Sequence, residues 1–286
     1  MTGKKPKTLY VSDLDGTLLN DSSVLSDETT EKLNALIDKG ALFTVATART
    51  PATVVTLMES IRTRLPFIVM AGCALWDNEK KDYISARIIG KEYISRLIDI
   101  FNRHGNNPFV YQRRSNKIAV MHTEDMTAEE RDFITPRLAT PYKELKIAEK
   151  DKMASMAENV MLLFSMGKFA SLREIADDID REGIPCFYNC YHDIFSEEDG
   201  LIDLYAEGTT KALAINELAN KIGAERIVVF GDNLNDIPMM KAADWSVAVG
   251  NAFEEVKSVA SEVIGKNTDN SVADWIWNDY NKMDSR

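Results

Sequence analysis

Asp13 and Asp15, in Ser12-Asp13-Leu14-Asp15-Gly16-Thr17-Leu18, are the residues whose type and spacing most directly suggest chemistry. Two acids in one turn can point into the same space, where a metal ion or a proton must relieve their repulsion. A calcium loop of the EF-hand type is a poor match. That pattern wants Gly at its sixth position and Glu at its twelfth, where this chain has Leu18 and Val24. Further along stand Thr47, Lys211, and the run Gly231-Asp232-Asn233-Leu234-Asn235-Asp236. Carboxylates gathered with a hydroxyl and an ammonium suit magnesium-assisted phosphoryl transfer, in which hard oxygen ligands hold the ion and fixed donors hold the phosphate. Any one of these residues alone reads as a turn acid, a strand-end cap or a solvated lysine. Their common position at the ends of apolar runs is what joins them.

Those runs are the elements that must position them. Leu9-Tyr10-Val11 reads as a buried strand ending at Asp13, and a helix follows from a Ser26 cap to Gly40. Ala41 to Ala46 is a second such strand, ending at Thr47-Ala48-Arg49, with Pro51 opening the next helix. Pro66 to Met70 is a third, ending at Ala71-Gly72-Cys73. Three strand-then-helix units predict a parallel, doubly wound α/β sheet of Rossmann-like kind, whose strand C-termini form the ligand-binding rim. The same rhythm returns at Thr210-Lys211 with a helix to Gly223, a strand Arg226 to Phe230, a helix from Pro238, a strand Ser246 to Val249, and the turn Gly250-Asn251.

Between these halves the rhythm differs. A helix is predicted near Lys91 to Arg103, strands at Phe109 to Gln112 and Lys117 to Met121, and a polar helix from Thr127. A second set comprises a strand at Val160 to Phe164, a helix at Phe169 to Arg181, and strands at Cys186 to Tyr191 and Leu201 to Tyr205. Short connections between strands imply antiparallel pairing, so residues 83–206 are expected to form an inserted α+β cap domain, with 1–82 and 207–286 forming the discontinuous core. The charged stretch Pro141 to Glu158 has no clear period.

Composition narrows the function classes. With 286 residues, 45% of them hydrophobic, the chain can bury a substantial core. A net charge of -11 argues against nucleic-acid or anionic-membrane partners. No apolar run reaches membrane-spanning length, the basic start lacks a secretory apolar stretch, and Cys73, Cys186 and Cys190 form no disulfide pattern. The expected compartment is the cytoplasm. Cys186, Cys190 and His192 read as strand residues rather than a zinc site, for want of a fourth ligand.

On Asp13-Leu14-Asp15-Gly16-Thr17-Leu18, Thr47, Lys211, and Gly231-Asp232 with Asn235-Asp236, the chain resembles the haloacid dehalogenase superfamily, in particular its Cof-type hydrolases and sugar-phosphate phosphatases. The resemblance implies Asp13 as nucleophile and Asp15 as general acid/base. It implies Asp13, the backbone carbonyl of Asp15, and Asp232 as Mg²⁺ ligands, with Thr47 and Lys211 holding phosphate oxygens. Asn235, Asp236 and Arg49 would support metal or substrate. An insert placed after Gly72 is similar to the larger α/β cap of that superfamily. The implied activity is Mg²⁺-dependent hydrolysis of a small phosphorylated metabolite through an aspartyl-phosphate. A phosphomutase and a phospho-ligand-binding regulator without turnover are the alternatives. Ala48, Ala71, Cys73, Ala212 and Asn270 depart from the Cof-type pattern and bear on the substrate, for which Arg113, Arg114, Asn189 and His192 are cap candidates.

Overall fold

The computed structural model describes residues 6–193 and 196–284. Its chain divides into two compact units, one running through Ser85 and resuming at Thr210, the other spanning Ala86–Thr209.

In the first unit, strand β1 (Thr8–Ser12) is buried along its whole length, which accounts for its unbroken apolar run. Helix α1 (Asp27–Asp38) starts where the Ser26 side chain accepts the Thr29 N–H at 3.0 Å. Strand β2 (Leu42–Val45) and helix α2 (Pro51–Leu57) follow. Next come β3 (Phe67–Val69), β4 (Ala74–Asp77) and β5 (Asp82–Ala86). Here the structure departs from the expected third strand-then-helix unit. β3 touches β2 through one parallel bridge, Ala46 to Ile68, and then pairs antiparallel with β4. The cause is local: Met70, Ala71 and Gly72 all have positive φ, which reverses the chain at once and excludes a helix. Gly72 is required there twice over, since its φ is +94° and a Cβ would lie 2.2 Å from the Thr210 carbonyl oxygen.

The second unit contains α3 (Lys91–Arg103), β6 (Phe109–Arg114), β7 (Lys117–His122), α4 (Ala128–Ile134), β8 (Lys143–Ile147), α5 (Met153–Met156), β9 (Val160–Lys168), α6 (Phe169–Arg181), β10 (Cys186–Asp193) and β11 (Ser196–Ala206). Its sheet order is β10-β11-β9-β6-β7-β8. All pairs are antiparallel except β7 with β8. β8 and α5 occupy the aperiodic stretch 141–158. An edge strand with charged residues at Lys143, Glu144 and Lys146, β8 carries no strong apolar period. One sheet face packs on α3, α5 and α6 through Val110, Met121, Leu163, Ile202 and Leu204. α4 begins in a reciprocal cap, Thr127 Oγ1 accepting the Glu130 N–H and Glu130 accepting the Thr127 N–H.

The first unit resumes with α7 (Lys211–Ile222), β12 (Arg226–Gly231), α8 (Ile237–Ala242), β13 (Trp245–Ala248), α9 (Glu254–Val259), β14 (Glu262–Val263) and α10 (Ser271–Asp284). Its sheet is wholly parallel, in the order β14-β13-β12-β1-β2. β1 thus lies between strands from opposite ends of the sequence. In register, Ser12 stands beside Val45 and Phe230, and Gly231 beside Ala248. The chain leaves β1, β2, β12 and β13 on the same rim, as parallel sheets with a topological switch point do.

Candidate active site

Asp13 follows the last residue of β1, its N–H donating to the Phe230 carbonyl at 2.9 Å, so strand pairing fixes its backbone. The chain then makes one wide turn over residues 14–18, closed by Leu19 N–H to Leu14 O at 2.9 Å. Gly16 gives this turn its positive φ of +73°, and a Cβ there would come within 2.4 Å of Asp232 Oδ2. Thr17 is buried and donates its hydroxyl to Asp232 Oδ1 at 2.6 Å, which joins the first acidic turn to the last. Two asparagines brace the turn from outside. Asn251 Nδ2 donates to Gly16 O at 2.7 Å, while Asn251 Oδ1 accepts the Asn267 N–H at 2.9 Å and Asn267 Nδ2 donates to Leu19 O at 2.9 Å.

The electrostatic centre is Lys211. It opens α7 behind a Thr210 cap and is only 4% exposed. Its Nζ donates to Asp13 Oδ1 and to Asp236 Oδ1, both at 2.7 Å. Asp236 is fully buried, and its other oxygen accepts the N–H groups of Asp232 at 3.0 Å and Asn233 at 3.1 Å. Burial pushes Asp13 up to about 7 against the opposing pull of Lys211, with the charges of Asp236 and Asp232 adding to the rise. Burial likewise raises Asp232 to about 6 while the Thr17 hydroxyl opposes it. Lys211 is lowered by burial but raised by Asp13 and Asp236, and the net direction is up. One oxygen from each of Asp13, Asp232 and Asp236 lies within 4.8 Å of the others, a spacing that can hold a metal ion.

Thr47 is buried on the same rim, beyond β2, its N–H bonded to Ile68 O and its hydroxyl accepting the Arg49 N–H at 3.1 Å. Arg49 in turn grips Asp15 with two parallel bonds, Nε to Oδ2 at 2.7 Å and Nη2 to Oδ1 at 2.5 Å. That contact pushes the guanidinium further up. The structure therefore gathers Asp13, Asp232, Asp236 and Lys211 into one cluster and places Asp15 with Arg49 in a half-exposed pair two residues from Asp13. Asn235 is exposed and makes none of these bonds. Thr17, Asn251 and Asn267 were not singled out by sequence reasoning. The signal for Asn251 was present, since it ends the turn after β13 on the rim that carries Asp13 and Asp232.

Taken chemically, the cluster offers a buried carboxylate held by a fixed ammonium, with further carboxylate oxygens at cation-binding distance. Comparison with known proteins agrees. The family pattern of the haloacid dehalogenase-like hydrolases matches residues 10–276. A 5-amino-6-(5-phospho-D-ribitylamino)uracil phosphatase of Bacillus subtilis (strain 168) is 27% identical over 267 residues, which cover 93% of this chain and 92% of the relative. A pyridoxal phosphate phosphatase of Escherichia coli (strain K12) is 26% identical over 284 residues, covering 93% and 96%. In fold, a haloacid dehalogenase-like hydrolase from Bacteroides thetaiotaomicron superposes with a TM-score of 0.77 at 21% identity, over 95% of this chain and 98% of that one. A match that spans both units and starts within the strand delivering Asp13 leaves one assignment: the chain belongs to the haloacid dehalogenase-like hydrolase family.

Proposed function

We propose that the protein is a Mg²⁺-dependent phosphatase of small phosphorylated metabolites, working through an aspartyl-phosphate on Asp13. The observation that carries this reading is the ammonium of Lys211 shared between Asp13 and Asp236 at 2.7 Å each. It holds a nucleophile in place while leaving it an oxygen to react.

The donor set fits Mg²⁺. Asp236 has both oxygens engaged, one by Lys211 and one by two backbone N–H groups, so it suits an orienting role. Asp232 has one oxygen engaged, by Thr17, and retains the other as a hard donor of the kind Mg²⁺ prefers, while the Asp13 oxygen that accepts from Lys211 keeps a second lone pair for the ion and so leaves its partner oxygen free to attack. Those two residues, with the Asp15 carbonyl, would hold the ion, which supplies charge neutralisation at the phosphate oxygens. The crowding that pushes Asp13 up supports a cation there.

In the first half-reaction an Asp13 oxygen attacks phosphorus and the ester P–O bond breaks. Its electron pair leaves on the ester oxygen, which takes a proton from Asp15. In the second, water attacks the same phosphorus, Asp15 accepts its proton, and the Asp13 carboxylate is restored with release of phosphate. Lys211 and Thr47 hold charge on the transferring group. For Asp15 to carry a proton, Arg49 must give up one of its two bonds, so the guanidinium acts as the keeper of the acid. The second unit would serve as the cap that selects the leaving group, within a cytoplasmic enzyme.

The relatives' names suggest where to look for substrate, since each joins a phosphate to a nitrogen heterocycle, a uracil or a pyridoxal. Phosphate release is expected from 5-amino-6-(5-phospho-D-ribitylamino)uracil or pyridoxal phosphate, abolished by chelator and restored by Mg²⁺. Full turnover in chelator defeats the metal assignment. Isomerisation of a sugar phosphate without release would indicate a mutase, and binding without either would indicate a regulator.

The asparagine brace gives a smaller effect. Asn251→Ala removes the bond that holds Gly16 O, worth about 1 kcal/mol. It is expected to lower kcat roughly fivefold with KM nearly unchanged, because it loosens the turn carrying Asp15 without touching Thr47 or Lys211. Steady-state kinetics decide it: a rise in KM with kcat intact would place Asn251 in substrate binding instead.

A further inference from the structure

His122 ends β7 and is completely buried. Its Nε2 lies 3.1 Å from the Asn107 carbonyl oxygen, and its Nδ1 lies 3.0 Å from the Thr123 carbonyl oxygen. A carbonyl oxygen only accepts, so both ring nitrogens must donate. A neutral imidazole has one N–H to give, whereas the imidazolium has two. The Thr123 hydroxyl, 3.4 Å from Nδ1, does not replace the second donor, because it is bonded to the Asp125 carboxylate and holds that group low. A counter-charge stands in reach. Glu130 Oε1, on α4, is 3.7 Å from Nε2, and Glu130 is itself only 6% exposed. Its other oxygen accepts the Thr127 N–H at 2.8 Å, so one carboxylate serves both the ring and the helix cap. The remaining neighbours are mostly uncharged: β6 contributes the Phe109 ring, 4.3 Å from the imidazole centre, and β8 sets Ile147 beside it in register. Asp125, in the turn after β7, is the second acid that feels the ring, and the Asn107 side chain donates to it at 3.4 Å. Burial pulls the imidazole down, Glu130 and the two carbonyls raise it by more, and the net direction is up.

We propose that His122 is a buried imidazolium that latches the first turn of α4 to the sheet, and that loss of its proton as pH rises loosens that turn. A histidine raised on folding contributes stability that is complete below its ordinary value, about 6.5, and is lost as pH climbs through the folded one. Above that point one ring nitrogen turns a lone pair toward a carbonyl oxygen, and Glu130 is left buried without its cation. The first turn of α4 gives way because its capping carboxylate is the ring's own partner. The last turn is anchored separately, by buried Ile134 and by Phe133, whose ring stacks 4.7 Å from that of Phe164 on β9. The latch lies wholly within the second unit and does not depend on the chemistry proposed for Asp13.

With three histidines in the chain, ¹⁵N NMR of the full-length protein can follow this ring, and His104→Gln and His192→Gln assign its signals by elimination. Both His122 nitrogens are expected to carry protons to a pH above the ordinary histidine value. Glu130→Gln removes the charge but keeps an acceptor for the Thr127 N–H. It should make the ring at least tenfold more acidic, a fall of about one pH unit or more in its midpoint. Hydrogen exchange at the amides of the first turn of α4, corrected for the base-catalysed rate, should quicken severalfold as the wild type passes the ring's midpoint, while α3 and α6 stay protected. In Glu130→Gln the same change should come at lower pH. The wild-type ring and exchange profiles decide the matter even if Glu130→Gln folds poorly. A ring with a single proton at about pH 6, a midpoint unmoved by Glu130→Gln, or protection of α4 that does not follow the ring would each overturn the latch.

Discussion

Asp13→Asn is expected to release no phosphate above background from any substrate, a loss of roughly 10⁴-fold or more. The amide is nearly isosteric with the carboxylate but has no electron pair basic enough to attack phosphorus. Folding should survive the change, because burial already disfavours charge at position 13 and Lys211 keeps Asp236 as its second partner. The defect is therefore chemical, and a melting curve close to wild type would establish that. Mass spectrometry of acid-quenched reactions should find no phosphorylated protein in this variant. Wild-type turnover, or a phosphate on any other side chain, would overturn the mechanism.

Asp15→Asn should be slower by roughly 10²–10⁴-fold in each half-reaction, the usual worth of a general acid or base. The two halves part company with the leaving group. An aryl phosphate with an acidic phenol needs little help to depart, so formation of the phosphoenzyme suffers less than its hydrolysis, which still needs a base for water. Phosphate should then accumulate on Asp13 and be found there in quenched samples. Arg49 sharpens the test. In the wild type both of its bonds end on Asp15, whereas the amide can accept only at its single oxygen, leaving guanidinium N–H groups to seek the substrate phosphate. A lower KM alongside the lower kcat is the expected mark of that exchange. Rapid breakdown with slow formation would reverse the roles assigned to Asp15.

How far the sequence could carry this depended on whether a feature is local. The strands that deliver Asp13, Thr47 and Asp232 are legible because each is a short apolar run buried on both faces and stopped by a polar turn. Ser26 and Thr127 announce their helices by capping chemistry that spans three residues. Pro66 to Met70 misled because the reversal after it depends on three residues adopting positive φ, two of which, Met70 and Ala71, give no sign of it in their side chains. β8 was hidden by being an edge strand with charges on it. Within the site, residue identities were visible but not partnerships. That Arg49 would close on Asp15, or Asn251 on the Gly16 carbonyl, depends on the register of β2 against β1 and of β13 against β12, and no local pattern encodes register between distant strands.

The placement of β1 has a consequence for how the protein is made. Asp13 and the lysine that holds it lie 198 residues apart, with the entire second unit between them. At ribosomal speeds of about 5–20 residues per second, roughly 10–40 s pass between synthesis of the first and the second. During that interval β1 has β2 on one side and nothing of its own on the other, so Leu9, Tyr10 and Val11 present an open apolar edge until Arg226–Gly231 emerges to close it. An incomplete chain can hold Asp13, the proposed nucleophile, but not the ammonium, the last two carboxylates or the Asn251 brace. Reactivity is thereby withheld until the final third of the polypeptide is in place, and nascent chains that stall before it are the ones most exposed to chaperones and to self-association.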